Sequence, residues 1–156
     1  LLVKQLTELS KYASDKGAVL CLEPLNRFET SFINLAAQAT EVIDRVNSPS
    51  CQIMLDTFHM NIEEKSLGDA VRATGKRLAH FHACENDRGA PGSGNVTWNE
   101  VAKALQDIHY DGPVVIESFT NKVKSIARAA AIWRAFEPSQ DALAANGVTF
   151  LKKLLA

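Results

Sequence analysis

No stretch of this 156-residue chain approaches the ~18 consecutive apolar residues that a membrane span requires. Neither sign of charge is in excess. The 17 basic and 18 acidic residues leave a formal net charge of −1, without the basic surplus that nucleic-acid binding usually asks for. Cysteine is scarce: Cys21, Cys51 and Cys84 are odd in number, widely spaced and without a CxxC pair, so reduced, intracellular thiols are expected. The chain opens with neither a secretory signal nor an initiator Met. What remains, 46% hydrophobic and 22% charged residues, is the mix of a globular domain. The expectation is a single cytoplasmic domain over residues 1–156, with neither a membrane nor a nucleic acid as partner.

Short apolar runs alternate with longer amphipathic ones. Residues 1–16 place Leu2, Leu6, Leu9 and Tyr12 at helical spacing, and Gly17 stops the helix. Residues 18–23 (AVLCLE) and 52–56 (QIMLD) read as buried strands, separated by a helix over 34–46 with Leu35, Ala39, Val42, Ile43 and Val46 on one face. A short helix over 66–75, opened by a Ser66–Asp69 capping box, leads into a third strand at 78–82 (LAHFH). Residues 88–95 (RGAPGSGN) are too rich in glycine for a regular element. A second capping box, Thr97 to Glu100, predicts a helix to about His109. Asp111-Gly112 turns into a fourth strand, 113–117 (PVVIE), and a helix over 121–136 is broken by Pro138 before a last amphipathic segment ending at Leu155.

Strand followed by helix thus occurs four times at spacings of about 30 residues, the length of a βα unit. Continuous apolar strands fit a parallel sheet with helices on its faces. The class is α/β, and two architectures fit: half of a (β/α)8 barrel or a small doubly wound open sheet. A whole barrel takes ~250 residues, so this chain would supply four of its eight units.

Each strand ends in a side chain that can ligate: Glu23, Asp56, His82 and Glu117. One such ending marks only the return of the chain to solvent, but four of four point to a shared site at the carboxyl ends of the strands, where both candidate folds place function. Three carboxylates and one imidazole suit Mn²⁺, Mg²⁺ or Co²⁺ better than structural zinc. Three carboxylates brought together repel one another, and a divalent cation relieves that repulsion. His80 shares a strand face with His82 and reads as a hydrogen-bonded interior histidine one layer below. His59, in the loop DTFH, is near enough to Asp56 to act beside it. Arg27, Glu29 and Arg88 are loop charges beyond strand ends. The glycine loop lacks the GK[ST] ending of a P-loop. Trp98 and Trp133 read as helix packing residues, and His109 as a helix-end residue without a role in the chemistry.

These residues carry a resemblance. Glu23-Pro24-Leu25-Asn26-Arg27-Phe28-Glu29, Asp56-Thr57-Phe58-His59, His80-Phe81-His82 followed by Glu85-Asn86 and Arg88, and Val114-Val115-Ile116-Glu117 resemble the xylose-isomerase-like sugar isomerase and epimerase superfamily, most of all the ketose 3-epimerases acting on D-tagatose, D-psicose and L-ribulose. The resemblance covers roughly residues 1–135 and corresponds to the second half of a TIM barrel. It implies that Glu23, Asp56, His82 and Glu117 bind one divalent metal, Mn²⁺ before Co²⁺ or Mg²⁺. It further implies that Glu23 and Glu117 are the acid/base pair, that Glu29, His59 and Arg88 hold a small sugar, and that the protein is a homo-oligomer.

The implied reaction is inversion at C3 of a ketose through an enediolate, with metal acting as Lewis acid and each positioned acid/base group contributing about 10²–10⁴-fold. An aldose–ketose isomerase acting on a sugar, a sugar phosphate or hydroxypyruvate would use the same groups, and a non-catalytic half-barrel interaction module is the alternative of a different class. Apurinic endonucleases of the same superfamily use more histidines and a basic surface than this chain has. The segment after His82 reads ACENDRG where the ketose epimerases resemble HxGExNR, so Cys84 stands at a Gly position and Asp87 precedes Arg88 as a further departure.

Overall fold

The computed structural model describes all residues, 1–156. Four strands, β1 (Leu20–Leu22), β2 (Cys51–Asp56), β3 (Leu78–His82) and β4 (Val114–Val115), form one sheet. Their order is β1-β2-β3-β4 and every pair is parallel. Neighbours in sequence are neighbours in the sheet, as in a barrel wall; an open doubly wound sheet would reverse its order at a switch point. Seven α-helices accompany the strands: α1 (Leu2–Asp15), α2 (Ala36–Val46), α3 (Thr57–Glu63), α4 (Leu67–Thr74), α5 (Trp98–Asp107), α6 (Lys124–Ala129) and α7 (Gln140–Leu154).

The core lies between the sheet and the helices. Cys51, Ile53 and Leu55 of β2 and Phe81 of β3 point to the helix side and are almost wholly buried, packed with Ala39 and Ile43 of α2, Val71 of α4 and Val101, Ala104 and Leu105 of α5. The alternate residues Gln52, Met54, His80 and His82 face the other way and are only half-buried. The strands are therefore covered on one face, not on both as the continuous apolar runs had suggested. That second face is the one that carries Asp56 and His82.

Three helices leave through the same device. Ala18 N–H reaches Ala13 O at 2.9 Å past Gly17, Tyr110 N–H reaches Leu105 O at 2.9 Å past His109, and Ile132 N–H reaches Ala127 O at 2.8 Å past Ala131. In each case the residue passed over is left-handed, with φ of 65°, 55° and 54°. This closes the last turn and lets the chain reverse. His109 has that structural task.

The third exit corrects the helix expected over residues 121–136, of which only Lys124–Ala129 is α-helical. Turning through Ala131 buries Ile132 and throws Trp133 outward, where it is 73% exposed rather than packed. Trp98, in contrast, is buried as expected. The loop read at DTFH is helix α3, because Asp56 caps it: its Oδ1 accepts from Phe58 N–H at 2.7 Å. Ser66 caps α4, accepting from Asp69 N–H at 3.1 Å. Thr97 does not cap α5 in the expected manner, since its hydroxyl donates to Glu100 Oε2 at 2.9 Å instead of accepting from the backbone.

Phe81→Ala is expected to destabilise the protein by about 3–5 kcal/mol, whereas Trp133→Ala stays within about 0.5 kcal/mol of the parent. Equilibrium denaturation read by circular dichroism checks both. A large loss from Trp133→Ala would contradict the outward turn at Ala131.

Candidate metal centre and substrate pocket

The register of the sheet brings the candidate ligands together. Asp56 and His82 close β2 and β3 as direct partners across the ladder, Glu23 follows β1 by one residue, and Glu117 stands two residues beyond β4. Ligand atoms of Glu23, Asp56 and His82 lie within 4.8 Å of one another, and so do those of Asp56, Cys84 and Glu117. His82 Nδ1 is 3.4 Å from Asp56 Oδ2 and 3.7 Å from Glu117 Oε2. It is buried and makes no well-aligned hydrogen bond, only these two charge contacts. An unpartnered imidazole nitrogen facing two carboxylates is what a divalent cation would satisfy, so the residues present fit such an ion. His80 lies beneath, its ring edge-on to His82 with centroids 5.0 Å apart; it is only half-buried, not interior, and the expected hydrogen bond is not made.

Arg88 is not a surface charge. Its backbone is left-handed, with φ of 69°, and the guanidinium turns back into the site. There Nη1 contacts Asp56 Oδ2 at 2.6 Å and Glu117 Oε2 at 2.8 Å. The rings of Phe58 and Phe119 flank its guanidinium carbon at 4.1 and 5.5 Å. Ser118 Oγ donates to Arg88 O at 2.7 Å and fixes the turn. The pocket beside Arg88, about 200 Å³, is lined by Glu29, Phe58, Phe119 and Ile126.

His59 is buried on α3. Asn26 N–H and Asn26 Nδ2 approach its Nδ1 at 3.1 and 2.9 Å. A backbone N–H can only donate, so Nδ1 accepts and the ring proton sits on Nε2, which faces Glu23 Oε1 at 3.8 Å and Arg88 Nη2 at 3.1 Å. Asn26 Nδ2 also donates to Glu29 Oε1 at 2.8 Å. Glu29, His59 and Arg88 thus meet at one place. Arg27 does not join them, its guanidinium being bidentate on Glu63 at 2.9 and 3.0 Å.

Several residues escaped the sequence reading. Asn26 orients both His59 and Glu29. Glu85, fully buried, accepts from Gly92 N–H, Val96 N–H and Trp98 Nε1–H, each at 2.8 Å, and so folds the glycine loop behind Arg88. Gly94 has no room for a side chain there, since a Cβ would stand 2.3 Å from Asn86 Oδ1 and 2.6 Å from Glu85 Cγ. Thr57 Oγ1 ties β2 to the end of β3, accepting from Cys84 N–H at 2.8 Å. Cys84 had a legible signal: two residues past His82, it shares that residue's face.

Packing these charges together shifts them. Burial, then the nearby Asp56, pushes the Glu23 carboxyl up to about 7. The carboxylates of Asp56 and then Glu117 push the His82 imidazole up to about 9. Asp56 is held well below the usual carboxylate range, against its own burial, by His82 and Arg88. Burial lowers His59 and keeps it neutral, and burial with the Asp56 charge raises the Cys84 thiol far above its ordinary value.

Over residues 1–154 the chain matches the xylose isomerase-like TIM barrel family. It belongs to that family. D-psicose 3-epimerase of Agrobacterium fabrum is 41% identical over 139 residues, which are 89% of this chain and 48% of that protein. A probable ketose 3-epimerase of Synechocystis sp. is 45% identical over 132 residues, 85% of this chain and 46% of that one. The crystal structure of D-psicose 3-epimerase from Clostridium cellulolyticum H10 with D-tagatose matches with a TM-score of 0.91 and 37% identity, covering 98% of this chain and 55% of that one. The chain spans about half the length of the relatives it matches.

The raised affinities of Glu23 and His82 have a consequence for stability without metal. A folded chain that holds protons the unfolded chain has released loses stability as pH rises: through about 7 on account of Glu23, and through about 9 on account of His82. In chelator the thermal midpoint is expected to fall between about pH 5 and pH 9, with Glu23→Gln flattening the lower part of the decline and His82→Gln the upper part. Unfolding followed by circular dichroism across that range checks it; slopes unchanged in both variants would refute the assignment.

Proposed function

We propose that residues 1–156 act as the C-terminal half of a (β/α)8 barrel that epimerises a ketose at C3. The observation that carries the reading is the convergence of Glu23, Asp56, His82 and Glu117 from four consecutive parallel strands on one end of the sheet, together with an unpartnered His82 Nδ1. These four would hold one divalent cation, Mn²⁺ before Co²⁺ or Mg²⁺. Such an ion supplies Lewis-acid stabilisation of the charge that develops when a proton leaves the carbon next to a ketone. The similarity to ketose 3-epimerases, including one crystallised with D-tagatose, supports a small sugar as substrate. The reading includes a cytoplasmic setting and a homo-oligomer. No helix is long and apolar enough to cross a membrane.

The residues of the chain divide the work. Glu23 follows one outer strand of the sheet and Glu117 the other, with Asp56 and His82 between them. Groups reaching a substrate from opposite sides suit removal of the C3 proton by one carboxylate and its return by the other on the opposite face, which inverts the centre. His59 Nε2–H and the Arg88 fork are two donors 3.1 Å apart with no acceptor between them. A sugar oxygen accepting from both would relieve that opposition, and Glu29 would accept from a further hydroxyl. Phe58, Phe119 and Ile126 give that side of the pocket an apolar wall.

Manganese titration of the folded chain should give one site per chain, lost in Glu117→Gln and in Asp56→Asn. Deuterium from D₂O should then enter a ketohexose at C3. Uptake at C1 with formation of an aldose would favour the isomerase of the same fold. A folded chain without a manganese site would leave the non-catalytic half-barrel module as the better account.

A further inference from the structure

The guanidinium of Arg88 marks a position in the site that the four strand-end ligands alone do not define. Its Nη1 stands 2.6 Å from Asp56 Oδ2, 2.8 Å from Glu117 Oε2 and 3.1 Å from Cys84 Sγ. Two carboxylate oxygens and a sulfur, presented beyond the ends of β2, β4 and β3, surround a single cationic nitrogen. Those three ligand atoms lie within 4.8 Å of one another, close to the ~4.6 Å that two bonds of about 2.3 Å to one ion can span. Cys84 is wholly buried, and its thiol also reaches Glu117 O at 3.2 Å and Asp56 Oδ2 at 3.4 Å. No solvent route makes it a reactive surface thiol; its surroundings are the candidate ligands themselves. Asp56 Oδ2 is shared with the orphaned His82 Nδ1, 3.4 Å away, so an ion seated near this oxygen would answer that nitrogen as well.

We propose that Cys84 Sγ is a further donor to the cation held at this site, raising its affinity for the softer divalent ions, Co²⁺, Zn²⁺ or Cd²⁺, above what the oxygen and nitrogen donors alone would give. The inference rests on the metal reading above. Coordination would cost the thiol its S–H proton, which would pass to the buffer, and would require Arg88 Nη1 to give up its place between the carboxylates. A coordinating thiol is deprotonated outright by the ion's own charge, so burial as a neutral thiol is no obstacle. Soft thiolate adds little to a hard ion such as Mn²⁺ and much to a softer one. Cys84 therefore sorts metals at a centre the other ligands build.

Cobalt titration of the whole, chelator-treated chain, followed by absorption, tests this without any turnover. The expected spectrum has visible d–d bands together with an intense near-ultraviolet sulfur-to-cobalt charge-transfer band. Cys84→Ser should keep the d–d bands, lose the charge-transfer band and weaken Cd²⁺ binding by about tenfold or more, a larger factor than its effect on Mn²⁺ binding. Cys84→Gly, with the residue type of the resembling motif, should behave alike and guards against a folding defect peculiar to serine; Cys21→Ser should keep the band. Bound cobalt with d–d bands but no charge-transfer band in the parent chain, or a band that survives Cys84→Ser, overturns the role of Cys84 and leaves the metal reading standing. A folded parent chain that takes up no cobalt overturns both.

Discussion

Repulsion among three carboxylates is the constraint around which this end of the molecule is arranged. Glu23, Asp56 and Glu117 are driven together because parallel strands in sequential order put all their carboxyl ends on one rim. Charges at this spacing in a partly buried site cost far more than they would in water. The protein answers with cations of its own: Arg88 between Asp56 and Glu117, and an imidazole that keeps its proton well above its ordinary range. Much of the surrounding structure serves that answer. The left-handed turn at Arg88, the Ser118 hydroxyl on its carbonyl and the two phenylalanine rings exist to bring one guanidinium back over the strand ends.

The fold could be read from the sequence where local rules and tertiary packing agree. Gly17 permits the left-handed exit that ends α1, and Ser66 caps α4, because both are decided within a few residues. The four strand ends were legible as a set: one apolar run that stops at an acid or a histidine marks only a return to solvent, but four of them in successive parallel strands share one rim. Where the reading failed, distant residues decide. Residues 121–136 have helical spacing throughout, but an alanine takes the left-handed place normally left to glycine so that Ile132 can be buried, and Trp133 is turned to solvent. Nothing in composition forecasts that exchange.

The site was legible as a list of side chains and not as a set of contacts. Glu29, His59 and Arg88 do gather, yet what gathers them is Asn26, whose amide and backbone address His59 and Glu29 together. An asparagine in a loop is indistinguishable in sequence from any turn residue. Glu85 likewise reads as one more acid beside a glycine loop, and becomes meaningful only when the N–H groups of Gly92, Val96 and Trp98 are found on it. A barrel rim hides its organisation in this way, because the residues that aim the ligands come from loops far apart in the chain.

Asp56 divides its two oxygens between two tasks. Oδ1 starts helix α3, and Oδ2 faces the ligands and Arg88. The exchange for glutamate that chemists usually call conservative would preserve the charge here and forfeit the geometry, since a longer side chain cannot hold the first turn of a helix and the rim of a sheet at once. His59 rides on that same helix, one turn along. The beginning of α3 is therefore a hinge pin shared by a secondary-structure element and a binding site, and drift at this position would unsettle the helix and the pocket in a single step.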